Sequence, residues 1–356
     1  MRALMRHIKM VIDIGWTYIS TLFGSLGTVQ YKWNGSVLAP NGKIYSAPRA
    51  GVKVLEIDPA TNTVILVGTS YSNDQHWAGG VLAPNGNIYF APQNNTKILE
   101  LDPATGITTL VGVSLGTVKY KWFGGVLAPN GKIYFAPYSA TQVLEFDPDT
   151  YTTTLVGTTY AGNYKWAGGV LAENGLIYFA PYSAAKILEI NPSTGITTLV
   201  GADLGSGNKF IGCTLAFNGY IYLAPMNKTQ VLKFDPITKV WGYVGSVYTG
   251  ADIFLGCSLA SNGNIYFNPY SGSNVLELDV TTDITQLITT PPTLTYKYYG
   301  NSLAPNGKIY SIPYIASQVQ EFEIVGAPAI DSADNQIPAD LANLATSNYN
   351  KYYNKF

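Results

Sequence analysis

Charge is scarce in this chain: of 356 residues only 12% are Asp, Glu, Lys or Arg, and the formal net charge is −1. A surface that neutralises a nucleic-acid backbone carries a clear basic excess, so the reading is of a protein with no nucleic-acid partner. Cysteine is limited to Cys213 and Cys257, which excludes a disulfide framework and leaves the redox compartment open. Histidine is limited to His7 and His76, so a Cys–His nucleophile pair has little to draw on. The opening MRALMRHIKMVID is basic and apolar, but Arg6, His7 and Lys9 interrupt it and no cleavage-site pattern follows. Neither a signal peptide nor a membrane span is expected.

What is abundant points the other way. Hydrophobic residues make up 47% of the chain, enough for a large core. Tyr, Thr, Val, Ile, Gly and Pro dominate while helix formers are few, the palette of short strands and tight turns. The octapeptide LAPNGKIY or a close variant recurs seven times, with its leucine at Leu38, Leu82, Leu127, Leu171, Leu215, Leu259 and Leu303, a period of 44 or 45 residues. A tandem period this long belongs to propellers and solenoids.

The third repeat divides at its turn signals into four strands: Gly124 to Ala128, Lys132 to Ala136, Gln142 to Phe146 and Thr152 to Val156. Asn130-Gly131 supplies positive φ for a tight hairpin, and Asp147-Pro148 opens a turn in which the Asp side chain bonds its own downstream backbone. Four antiparallel strands per period make one propeller blade. The seventh unit lacks its fourth strand, and Tyr18 to Gly24 stands ahead of the first unit as an orphan that resembles one. Pairing that orphan with Gln318 to Ile324 closes the ring. The expected fold is all-β: a seven-bladed β-propeller over 16–325 with three-plus-one closure, an N-terminal segment 1–15 and a C-terminal extension 326–356.

On these residues the chain resembles the seven-bladed propellers of the kelch, NHL and YVTN type, over roughly Trp16 to Val325. It lacks the Trp-Asp signature of WD40 repeats and the spaced Gly-Gly, Tyr and Trp of true kelch units. The resemblance implies an architecture that hosts lyases, lactonases, lectins and scaffolds alike.

Most repeated residues read as structure. The Gly pairs before each LAP unit suit crowded innermost strands, and Cys213 and Cys257 stand in for a small residue there. Glu56, Glu100, Glu145, Glu189 and Glu277 recur at one strand position, so they serve the repeat, some as ion pairs with Lys43, Lys132 and Lys308. Catalysis needs one asymmetric site, and the loop acids Asp74, Asp203 and Asp252 stand one per blade without a cluster. The reading is of no enzyme, no catalytic residue, no metal and no cofactor.

The connections between repeats are richer in chemistry. They carry Tyr31-Lys32-Trp33, Trp77, Tyr120-Lys121-Trp122, Tyr164-Lys165-Trp166, Lys209 and Tyr296-Lys297, and they share a face with loops such as Gln93-Asn94-Asn95, Tyr138-Ser139, Tyr182-Ser183 and Tyr270-Ser271. Aromatic faces with amides and hydroxyls suit sugar rings or partner proteins, so Tyr31, Lys32, Trp77, Tyr120, Lys121, Tyr164, Lys165, Lys209, Tyr296 and Lys297 are the candidate ligand-binding residues. The competing reading wedges Trp33, Trp77, Trp122 and Trp166 between blades and leaves only Lys and Tyr exposed.

Beyond Val325 the composition changes, and Tyr349, Tyr352, Tyr353 and Phe356 alternate with Asn and Lys as a candidate docking arm. This ending resembles the C-terminal tails of some tailed-phage structural proteins. Together these features lead to the expectation of a non-enzymatic component of a viral particle, localised to the virion, with structural proteins of the assembly as partners. The alternative is a lectin-like propeller whose partners are surface glycans, and a third reading is a channel-mouth hydrolase or lactonase.

Overall fold

The computed structural model describes residues 17–325 except 52, 73–75, 249–253, 273 and 290–296. The N-terminal segment and the C-terminal arm, with Tyr349, Tyr352, Tyr353 and Phe356, lie outside the described residues, as does Tyr296.

Seven four-stranded antiparallel sheets form, each in strand order a, b, c, d from the axis outward. Blades 1 to 6 span 33–67, 77–111, 122–156, 166–200, 210–244 and 254–289. In blade 3 the strands are Trp122–Leu127, Ile133–Pro137, Val143–Phe146 and Thr153–Val156, so strand a begins two residues before its expected start. The seventh blade takes strands Tyr298–Leu303, Ile309–Pro313 and Val319–Val325 from the end of the chain and Thr17–Phe23 from its beginning. Those last two pair over seven residues, from Thr17 opposite Val325 to Phe23 opposite Val319. The three-plus-one closure therefore forms as expected, and it pairs an edge that would otherwise lie open.

The core sits between blades. Trp77 packs against Val37, Tyr45 and Val54 of the preceding blade, and Trp33, Trp122 and Trp166 do the same at their own interfaces. Each indole N–H donates to a carbonyl of its own blade, those of Lys53, Lys97, Gln142 and Lys186. The tryptophans are wedges, and the exposed ligand role considered for Trp77 does not hold.

At the axis the first glycine of each pair touches its counterpart in the next blade. A Cβ on Gly35 would meet the Gly79 Cα at 2.8 Å, and the same approach recurs through Gly79, Gly124, Gly168, Gly212, Gly256 and Gly300 back to Gly35. These glycines also hold positive φ, from 69° to 89°, at the place where strands a and b slip register. The pair therefore answers both a bulge and a close backbone approach. Cys213 and Cys257, the second residues of their pairs, carry free thiols; burial pushes the Cys213 thiol up to about 12 and the Cys257 thiol well above its ordinary value.

The face bearing the Asn-Gly and Asp-Pro turns is held by polar latches. Asn41, Asn130, Asn174 and Asn306 each donate to the hydroxyl of their own strand-b tyrosine and to a prolyl carbonyl in the next blade. Behind each tyrosine lies the recurrent glutamate, and Glu321 proves to be a sixth member of that set. Lys43–Glu56 and Lys132–Glu145 are expected ion pairs, and Lys308–Glu321 adds a third of the same kind, with carboxylates much more buried than a surface pair.

Candidate functional site

The opposite face carries the d-to-a and b-to-c connections, and the residue that precedes each strand a organises it. Among the described residues it is Lys32, His76, Lys121, Lys165, Lys209 or Lys297. Its carbonyl accepts N–H bonds from the b-to-c loop of its own blade: Lys121 from Tyr138, Ser139 and Ala140, and His76 from Gln93, Asn94 and Asn95. Its N–H donates to the first loop residue of the preceding blade, giving the pairs Lys32 to Tyr314, His76 to Arg49, Lys121 to Gln93, Lys165 to Tyr138, Lys209 to Tyr182 and Lys297 to Tyr270, at 2.7 to 3.0 Å. One backbone unit thus ties neighbouring loops at six of the seven blade interfaces among the described residues.

The lysine side chains follow their backbones inward, which corrects their assignment as exposed ligand contacts. Lys32 is 2% exposed and Lys209 0%, and Lys121, Lys165 and Lys297 are buried alike. Lys209 Nζ donates to the carbonyls of Gly205, Gly207 and Ser183; Lys32 Nζ donates to those of Val29 and Ile315, and Lys165 Nζ to Gly162. Burial pulls Lys32, Lys121, Lys165 and Lys209 down to about 8 and lowers Lys297 as well. In blade 2 the seat is taken by His76, whose ring lies 3.1 Å from Ser72 Oγ and packs on Trp77.

The tied loop residue, first after the proline that ends strand b, projects toward the axis. Around the ring this position reads Arg49, Gln93, Tyr138, Tyr182, Met226, Tyr270 and Tyr314. Together with the second residue of strand a it builds one apolar cluster drawn from blades 2 to 7, including Ala78, Phe123, Tyr182, Met226, Tyr299 and Tyr314. Blade 1 contributes polar groups instead, Asn34 and Arg49. Phe123 of blade 3 and Tyr299 of blade 7 are not in adjacent blades, yet their rings lie 5.8 Å apart. They meet near the axis, at the end of the ring here called the mouth.

Rings then run without a break from one side of the mouth to the other: Tyr120 to Tyr164, Tyr138, Phe123, Tyr299, Tyr314 and Tyr31, each neighbour 5.1 to 5.8 Å from the last. The Arg49 guanidinium lies 5.1 Å from the Tyr314 ring centre and 5.8 Å from that of Tyr31. Burial, more than any neighbour, pushes the Tyr138 and Tyr299 hydroxyls up, so both stay protonated. None of the residues at these axial positions is a carboxylate or an imidazole.

Of the residues singled out from sequence, Tyr31 and Tyr164 are exposed, at 40% and 41%, and Tyr120 is half-buried. All three border the mouth. The sequence places Tyr138 and Gln93 on this face without a role and gives Arg49 and Tyr314 no motif of their own. The signal for them was positional: each directly follows the Ala-Pro, or its variant, that ends strand b.

No protein family and no curated protein matches the chain by sequence. The fold is similar to a streptogramin B lyase, with TM-score 0.72, 13% identity, 86% of this chain and 98% of that one covered. It is similar as well to a catalytically inactive His-to-Ala virginiamycin B lyase from Staphylococcus aureus with quinupristin, at TM-score 0.73, 12% identity and 87% and 100% coverage. The extracellular domain of a hybrid two-component system from B. thetaiotaomicron matches at TM-score 0.62 and 10% identity, over 88% of this chain and 42% of that one. These likenesses establish the class, a seven-bladed β-propeller, and no match assigns it to the kelch, NHL or YVTN type. They also overturn the expectation of a non-enzymatic particle component with a lectin as its alternative. The similar structures include lyases, which are enzymes, and none of these matches supports the phage resemblance of the tail or a virion location.

Proposed function

We propose that the protein recognises one small molecule with an aromatic or apolar body at the tyrosine-lined mouth of the ring. The observation that carries this reading is the unbroken run of rings across the axis, which gathers one apolar, asymmetric place on a frame of seven similar blades. Arg49 and Gln93 break the sevenfold equivalence on one side, so a ligand has a single orientation to prefer. A propeller of similar shape holding quinupristin supports the choice of a small molecule over a macromolecule.

The test is ligand-observed NMR with a set of aromatic fragments on the wild type and on Tyr138→Arg, which places a cation in the middle of the ring path. Fragments that bind the wild type and lose their signal in the variant support the mouth. Fragments that bind both equally place the site elsewhere and overturn the reading.

A further inference from the structure

Seven described residues other than glycine hold a positive φ, a conformation that costs an L-residue energy and persists only when something compensates. Four of them, Asn62, Tyr151, Lys239 and Asp283, sit at one position of the c-to-d turn, and the compensation is visible. Asn62 donates to Glu321 at 2.8 Å, Tyr151 to Glu100 at 3.1 Å and Lys239 to Glu189, while Asp283 accepts from Lys233 at 2.7 Å. Each strained residue delivers its side chain to the preceding blade.

The other three are Tyr31, Tyr120 and Tyr164, with φ of 60°, 58° and 58°. All stand one residue before the buried lysine, on the mouth face. Their backbones are pinned: Tyr120 donates to Asn94 Oδ1 at 2.8 Å, and Ser139 and Ser183 donate to the carbonyls of Tyr120 and Tyr164. Glycine would satisfy the same backbone bonds without strain. No hydrogen bond to the described residues engages the three hydroxyls, in contrast to that of Tyr151.

Resting on the mouth reading above, we propose that Tyr31, Tyr120 and Tyr164 are the residues that grip the ligand, and that the ligand is a planar aromatic molecule carrying a hydrogen-bond acceptor. The chemistry left over around them sets the class. Ser183 Oγ is used on the carbonyls of Asn163 and Tyr164, Asn94 Oδ1 on Tyr120, and Lys165 Nζ on Gly162. The Tyr31, Tyr120 and Tyr164 rings touch Tyr314 and Arg49, each other and Tyr138, and what remains is the accessible part of each ring for stacking and the phenol O–H groups for donation. Tyr120 and Tyr164, 5.8 Å apart and inclined at 69°, form one wall, and Tyr31 stands on the far side of the axis.

The experiment compares coumarin, a planar aromatic lactone, with saturated octahydrocoumarin by calorimetric titration, alongside thermal unfolding. The double variant Tyr120→Gly/Tyr164→Gly is expected to unfold at or above the wild-type midpoint, because glycine relaxes both φ angles, and to bind coumarin about tenfold more weakly. Tyr151→Gly, the control at a strained position with a structural partner, is expected to unfold earlier and bind coumarin unchanged. Octahydrocoumarin is expected to bind neither protein measurably. If the double variant unfolds early and binds normally, the tyrosines are structural and the proposal falls. It falls too if the saturated lactone binds as well as coumarin, or if coumarin fails where other fragments bind the mouth. Tyr138→Arg separates the two levels: coumarin lost there but kept in the glycine pair leaves the mouth standing without these tyrosines, and coumarin kept there removes the mouth itself.

Discussion

Lys233 and Asp283 form an ion pair across a blade interface, Nζ to Oδ2 2.7 Å, at a place where the other six blades carry a glutamate in strand c. Relative to the Lys239–Glu189 pair at the preceding interface, the two charges have exchanged strands. Blade 5 holds the cation, and the following blade returns the carboxylate from its strained turn position. These two interfaces each keep one positive and one negative group, supplied from opposite sides.

Reversing Lys233 alone to glutamate sets two carboxylates against each other and is expected to cost about 1–3 kcal/mol; Lys233→Glu with Asp283→Lys should recover most of it. A double-mutant cycle on urea midpoints measures the coupling. Additive effects would show that the pair does not interact.

Two glycines with similar backbones separate strain from contact. Gly79 has φ +69° and its Cβ would lie 2.8 Å from the Gly124 backbone, whereas Gly86 has φ +85° with open space around it. Gly86→Ala is expected to cost about 1 kcal/mol from φ alone, and Gly79→Ala about 2–4 kcal/mol because the next blade must move as well. Equal losses in chemical denaturation would remove the close approach as a constraint.

Lys209→Met keeps the length of the stem and deletes the donor to three buried carbonyls. A loss of about 1–3 kcal/mol is expected, with fragment binding at the mouth unaltered. A variant that stays stable but binds poorly would return this lysine to the ligand.

Stability should rise and then fall with pH. The buried lysines titrate near 8 when folded and near 10.5 when unfolded, so the unfolded chain binds more protons between those values and folding gains as pH rises through them. The strand-b tyrosines are raised above their ordinary 10, chiefly by burial, so above about pH 10 the unfolded chain loses protons first and stability declines. Urea midpoints at pH 7, 8.5, 10 and 11 are expected to peak between the two regimes. A steady fall from pH 7 would mean that the lysines stay fully charged in the fold.

The ring itself was legible because it is written in local chemistry. Asn130-Gly131 and Asp147-Pro148 mark turns wherever they occur, and an unpaired Tyr18 to Gly24 ahead of seven repeats has one natural partner. The lysines misled because their type suggests solvent. The carbonyls that hold Lys209 come from Gly205, Gly207 and Ser183, residues with no sequence mark of that duty. Arg49, Gln93, Tyr138 and Tyr314 were hard to see for another reason: they lie in different repeats and converge only when the ring closes. The tail that inspired the particle reading lies outside the described residues.

Because the bond between neighbouring loops runs through the peptide groups of residues such as Tyr138 and Lys165, it makes no demand on the side chain that faces the axis. Arginine, glutamine and tyrosine all occupy that seat in this one chain. Frame and axial lining are therefore written in separate alphabets, and single substitutions at these seats change what faces the axis while the backbone ties around it stay the same.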